Sequence, residues 1–231
     1  MDLFYVILSS MERLIVLDTE TTGIDPSEGH RIIEVGAVQI LDREITSTEF
    51  HRYVQPNRKV GESVNIHGIT DKFLINKPQF NQISDDLLSF IEGATLVIHN
   101  APFDLGFLNN ELKLIDIKET IESICTVIDT LKLSKQQRPG TMHNLDALCR
   151  RFGIDTSART RHGALLDAQI LAQVYLAMTG GQSSLFQEVT NTESNQTDPS
   201  LIKKVKENRD KIKVIYANKN ELEAHKNYFQ N

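Results

Sequence analysis

Along the chain, the pattern of apolar and polar positions reads as strands first and helices later. Leu14-Ile-Val-Leu17 is an unbroken apolar run, and residues 31–40 and 45–54 carry apolar side chains through two more extended segments. The connections are short, one of them the Asp25-Pro26-Ser27-Glu28-Gly29 turn, and so predict an antiparallel meander. Residues 56–68 show neither period and predict an irregular segment. The period then changes. Phe80, Ile83, Leu87, Leu88 and Ile91 recur at helical spacing within a predicted helix over 78–91, which Gly93 closes. Thr95-Leu-Val-Ile-His99 predicts a short buried strand, after which Asn100 caps a helix with Pro102 in its first turn. Residues 125–133 mix a short strand with a helix start, 144–152 predict a helix ending at Gly153, and 163–178 predict another ending at Gly180-Gly181. Strands first, then strands alternating with helices, imply an α/β fold with helices packed on a mixed sheet.

Both ends depart from this pattern. Residues 1–10 read as an extension whose first nine residues are apolar but have neither a basic start nor a cleavage site, a poor signal peptide. Met11 is a candidate start, since the regular pattern begins just after it. Residues 188–200 are rich in Thr, Asn, Ser and Glu with almost nothing to bury, which predicts a flexible linker. From 201 to 231 the apolar residues are sparse (Ile212, Val214, Ile215, Leu222, Phe229), too few for a core, and predict folding on a partner.

The 231 residues, 40% of them hydrophobic, suffice for one sizeable core with an appendage. No apolar run approaches the roughly 18 residues of a membrane span. Cys125 and Cys149 lack a CxxC spacing and predict buried thiols in a reducing cytoplasm. The formal charge of −6 is uneven: 17 basic against 24 acidic side chains through residue 181, and 8 against 7 beyond it. This excludes a broad basic groove for nucleic acid. An acidic body can bind a polyanion only through metal ions or a narrow local contact.

Asp18 and Glu20 end the first strand two residues apart, so both carboxylates share one face. Like charges this close repel unless a cation lies between them, and hard divalent ions such as Mg²⁺ or Mn²⁺ suit oxygen ligands. The plainer alternative is a strand ending in a polar turn of Thr21, Thr22 and Gly23. Asp104 follows the buried strand; on a helix it lies about 40° from Asn100, on the same face. Asp167 lies five residues after His162, about 140° around a helix, so the two converge only if His162 precedes the first turn and its loop bends inward. Taken singly, each Asp reads as a cap or dipole partner and the His as structural.

Together, Asp18-x-Glu20, Asn100-Ala-x-Phe-Asp104 and His162-Gly-x-x-x-Asp167 resemble, in this order, the DEDDh 3′–5′ exonucleases, over residues 13–180. The resemblance implies a ribonuclease-H-like fold, a mixed five-stranded sheet flanked by helices, with a flexible C-terminal tail. It implies Asp18, Glu20, Asp104 and Asp167 as ligands of two Mg²⁺ or Mn²⁺ ions and His162 as general base; a tyrosine at that position would mark the sister group. Two ions about 3.5–4 Å apart stabilise both the attacking and the leaving oxygen of an in-line displacement. An imidazole accepts a proton from water near neutral pH. The resemblance also makes Ile66, His67 and Phe103, beside Asp18, Glu20 and Asp167, candidates for binding the terminal nucleotide, with core or loop packing as the alternative.

Within that family the chain is similar to the proofreading subunits of bacterial replicative DNA polymerases. Residues 14–23, Ile66-His-Gly-Ile-Thr70, Asn144-Leu-Asp-Ala-Leu-Cys149 and the His162 block carry the likeness. Lys213-Val-Ile-Tyr-Ala217 with Glu221-Leu-Glu-Ala-His225 resembles the segment that holds the polymerase alpha subunit, and Gln182-Ser-Ser-Leu185-Phe186 resembles the peptide that docks in the sliding clamp. The implied organisation is an exonuclease domain over 11–181, a clamp-binding peptide and linker over 182–200 and a polymerase-binding tail over 201–231, with room for a small third core subunit. A tether of this kind raises the effective concentration of the nuclease at a primer end. Two other readings stay open: a non-enzymatic subunit that stabilises a polymerase–clamp assembly, and an RNA-trimming nuclease.

Overall fold

The computed structural model describes residues 13–157, 159 and 161–180, all within the first of two units into which the chain divides, 1–187 and 188–231. The expected N-terminal extension, clamp peptide, linker and polymerase-binding tail lie outside the described residues.

Five strands form one mixed sheet in the order β3-β2-β1-β4-β5, with β1 spanning Arg13–Thr21, β2 Ile32–Leu41, β3 Glu44–Tyr53, β4 Thr95–Ile98 and β5 Thr126–Asp129. β1, β2 and β3 are the expected antiparallel meander, while β4 and β5 run parallel to β1. The ribonuclease-H-like mixed sheet read from the sequence is therefore the observed architecture. β2 and β3 meet at Asp42 and Arg43, both at positive φ (48° and 66°), as a two-residue hairpin loop on right-twisted strands requires. The Arg43 guanidinium hydrogen-bonds Thr179 Oγ1 (3.1 Å) and the Leu176 carbonyl (3.0 Å), fastening the hairpin to the last helix.

Four short helices, α1 (Val64–His67), α2 (Asp71–Leu74), α5 (Ile121–Ile124) and α6 (Thr130–Gln137), sit in the connections. Four others carry the layers or the site: α3 (Ser84–Ile91), α4 (Ala101–Leu114), α7 (Leu145–Phe152) and α8 (Ala164–Gly180). Helices cover both faces of β1, which explains its unbroken apolar run. Ile15 and Leu17 face the α3–α4 layer with Leu87, Ile91, Leu105 and Leu108. Leu14 and Val16 face α8, packed on Ala168, Leu171 and Ala172.

Two sequence expectations need correcting. The helix expected from residue 78 begins only at Ser84, because Phe80–Gln82 forms a separate 3₁₀ turn closed by reciprocal Gln79–Gln82 bonds. The apolar period survives the break, since Phe80, Ile83, Leu87 and Ile91 are all buried. Asn100 does precede α4, but in the left-handed region (φ 65°, ψ 53°) and without a side-chain capping bond. It therefore shares no helical face with Asp104. Residues 56–68, read as irregular, contain a 3₁₀ turn and α1, too short to show a period. Cys125 and Cys149 are buried free thiols, as expected. Among the described residues no helix is long and apolar enough to cross a membrane.

Candidate active site

The site lies where β1 and β4 end and α4 and α8 begin. β1 places Asp18 and Glu20 on the face that meets α8, beside their β2 neighbours Gly36 and Glu34. Gly36 has no side chain for a steric reason: a Cβ there would overlap the backbone of Ala164 and Leu165. The first turn of α8 thus rests directly on the sheet, and Asp167 in that turn, 3% exposed, is brought to the β1 carboxylates. Asp104 arrives from the other layer in the first turn of α4, 2% exposed. Thr19, on the opposite face of β1 from its two acidic neighbours, fixes it by donating its hydroxyl proton to Asp104 Oδ1 at 2.7 Å.

The electrostatics show that these four acids form one cluster. Burial pushes the Asp18 carboxyl well up, and the charges of Asp104, Asp167 and Glu20 push it further. Glu20 is raised to about 8 by burial, then by Asp167 and Glu34. Asp104 is raised to about 7 by burial, with the Thr19 bond opposing. Carboxylates held this high at neutral pH are waiting for positive charge. Their hard oxygens suit a divalent cation. One ligand atom from each of Glu20, His162 and Asp167 falls within 4.8 Å of the others, close enough to share an ion.

His162 lies just before α8, with Nδ1 3.2 Å from Asp167 Oδ2, which is the inward-bending loop that convergence required. Arg159 reaches the same place. Its Nε and Nη2 donate to the two oxygens of Asp167 (2.5 and 2.8 Å), Nη1 to Asp146 Oδ1 (2.5 Å), and Nη2 also to His162 Nδ1 (2.8 Å). A guanidinium only donates, so Nδ1 is the acceptor in that contact.

Beside Glu20 is a cavity of about 180 Å³ lined by Thr19, Glu20, Thr21, Gly23, Ile24, Ser63, Ile66, His67 and Phe103. The three residues singled out for the terminal nucleotide therefore border one space with Glu20. Ile66 is 57% exposed, free of the core. His67 is 6% exposed and accepts the Ile69 N–H at Nδ1 (3.0 Å), while its buried Nε2 sits beside the Thr21 backbone without a bond of full hydrogen-bonding geometry. Burial lowers its pKa, and with Nδ1 accepting, Nε2 is the donor nitrogen. The clamp-peptide residues Gln182, Leu185 and Phe186 lie outside the described residues.

Sequence reasoning missed four contributors. Glu34, 3% exposed, stands across from Glu20 and is held by His51 Nε2 at 2.7 Å. It is the one acid in an apolar run, and period-2 pairing against Glu20 could have exposed it. Gly36, a glycine inside a strand, signals close backbone approach. Thr19 and Arg159 give no such signal, because their roles depend on long-range geometry.

An acid cluster at strand ends, covered by a helix that brings a histidine, defines a nuclease-like class, and the family model described as Exonuclease matches residues 15–175. The chain belongs to this exonuclease family, and with it to the DNA 3′–5′ exonuclease hydrolases. Among its relatives, DNA polymerase III subunit epsilon of Pasteurella multocida (strain Pm70) is 47% identical over 94% of this chain and 87% of the relative. That of Escherichia coli (strain K12) is 46% identical over 94% and 92%. Within the exonucleases, the chain therefore belongs to the family of DNA polymerase III epsilon subunits. Among solved structures, exonuclease X in complex with 5′-overhanging duplex DNA shares the fold, with TM-score 0.56 at 24% identity over 74% of this chain and 93% of that one.

Proposed function

We propose that the chain is the proofreading exonuclease of a bacterial replicative DNA polymerase, hydrolysing mispaired nucleotides from single-stranded 3′ ends of DNA. The observation that carries this reading is the convergence of Asp18, Glu20, Asp104 and Asp167, with His162, beside a cavity of about 180 Å³ bordered by Glu20, Ile66, His67 and Phe103.

In this reading Asp18, Glu20, Asp104 and Asp167 hold two divalent ions, Mg²⁺ or Mn²⁺. When bound, such ions supply charge neutralisation at the phosphate and a more acidic water. The protein residues do the rest. Burial of the carboxylates strengthens their mutual repulsion, which bound cations would relieve. Ile66 and Phe103 flank the terminal nucleotide with apolar surface, and the Nε2–H of His67 offers it a single hydrogen bond. His162, whose Nδ1 lies 3.2 Å from Asp167 Oδ2, takes the proton of the attacking water. Glu34, held by His51, adds its charge beside Glu20 and so strengthens the pull of the cluster on a cation.

The family likeness also supports a DNA-bound polymerase complex as the setting. Residues 11–181 then form the exonuclease domain, Gln182, Leu185 and Phe186 hold the sliding clamp, 188–200 link, and 201–231 hold the polymerase alpha subunit. A small third core subunit on the body and a cytoplasmic location belong to the same reading. The test pairs two assays on the full chain and on a chain truncated after Gly181. Each is incubated with a 3′-mismatched primer and Mg²⁺, and each is used to pull down purified alpha subunit. Degradation by both with capture by the full chain alone supports the proposal. Degradation by both and capture by neither leaves a free-standing exonuclease.

A further inference from the structure

Resting on that reading of the site, we infer that Arg159 is the protein's own counter-cation for Asp167 and is exchanged for a divalent ion when the site loads. Its guanidinium forms a fork on both oxygens of Asp167, at 2.5 and 2.8 Å, and lies 2.8 Å from His162 Nδ1. Asp167 and His162 are two of the three residues whose ligand atoms cluster within 4.8 Å. A guanidinium and a metal ion thus compete for the same lone pairs, and two cations placed on one carboxylate repel each other at close range. The side chain is 9% exposed, so this is a built position.

The contacts also provide a route for the exchange. Nη1 is bonded to Asp146 Oδ1 at 2.5 Å, and Asp146, on α7, is 55% exposed. Asp146 can keep hold of the arginine while Asp167 gives it up. Arg159 is thus a positioning residue that holds Asp167 in place until the site loads.

The test is Mn²⁺ binding, followed by the electron paramagnetic resonance signal of the free ion, for wild type, R159Q, R159K and D167A, together with melting temperatures with and without Mn²⁺. Removing the competitor should tighten Mn²⁺ binding by about tenfold or more in R159Q, with R159K between, since lysine keeps the charge but loses the fork. R159Q should melt below wild type without Mn²⁺ and gain more from adding it. Unchanged or weaker Mn²⁺ binding in R159Q, with melting lowered equally in both conditions, would reduce Arg159 to a clip between α7 and α8 and overturn the inference. Should R159Q not fold, R159K binding Mn²⁺ no more tightly than wild type overturns it equally. Failure of the site reading looks different: wild type would then bind Mn²⁺ no better than D167A.

Discussion

Gly36→Ala is a one-carbon change outside every catalytic side chain. The added Cβ would lie inside the backbone of Ala164 and Leu165. Carbon contacts settle at about 3.5–4.0 Å, so the first turn of α8 must retreat by about 1 Å or more. That turn carries Asp167, and His162 directly precedes it. Overpacking of this kind costs about 1–3 kcal/mol, or about 2–12 °C in melting temperature for a domain of this size. Catalysis should suffer more, because a misplacement of about 1 Å in a reacting constellation costs on the order of 10²-fold. Gly106→Ala is the control. Gly106 is inside α4 with open space around it (nearest atom 4.0 Å), so alanine should stabilise by about 0.5–1 kcal/mol and leave activity unchanged. The assay is thermal denaturation beside hydrolysis of a 5′-labelled single-stranded oligonucleotide. Gly36→Ala with wild-type rate and melting temperature would refute the claim that glycine here seats α8 and its acid.

Other outcomes follow from the same geometry. Because Glu20 and Asp104 are raised to about 8 and about 7, chelator-treated protein binds more protons folded than unfolded. The stability these two groups contribute should therefore be full below about pH 4 and be lost as pH rises through about 7 to 8. A melting temperature that rises over that range in EDTA would contradict this, and Asp18→Asn should flatten the slope. Glu111 is buried under Arg31, bonded at 2.7 and 2.6 Å, so Glu111→Ala should cost about 3–5 kcal/mol by urea denaturation. Thr19→Val removes the hydroxyl on Asp104 and should weaken Mn²⁺ binding with little change in secondary structure, as calorimetry and circular dichroism would show.

Much of this was legible in the sequence because it depends on short-range rules. The apolar run at 14–17, the alternating positions of Asp18 and Glu20, and Gly153 at the end of α7 each follow from local periodicity or turn chemistry. The convergence of Asp104 and Asp167 was readable only through the family likeness, since residue spacing says nothing of how α4 and α8 approach β1. Asn100 departs from expectation because the helical period does not reach it: the backbone there is at positive φ, one residue before α4 starts. The break at Ile83 was missed because the 3₁₀ turn and α3 bury the same stripe, and periodicity is blind to the bond pattern. Arg159 was invisible: it sits in an irregular segment, and only the fold brings it to Asp167.

The central claim is that the carboxylate cluster makes this chain a divalent-ion-dependent nuclease acting from the 3′ end of DNA. The most direct test is a 5′-labelled primer with a mispaired 3′ terminus, incubated with the full-length protein and with Asp167→Ala, in Mn²⁺ and in EDTA. Stepwise shortening from the 3′ end in Mn²⁺ by the wild type alone, with the variant still folded, is the predicted result. Shortening that persists in EDTA, or in Asp167→Ala, would contradict it.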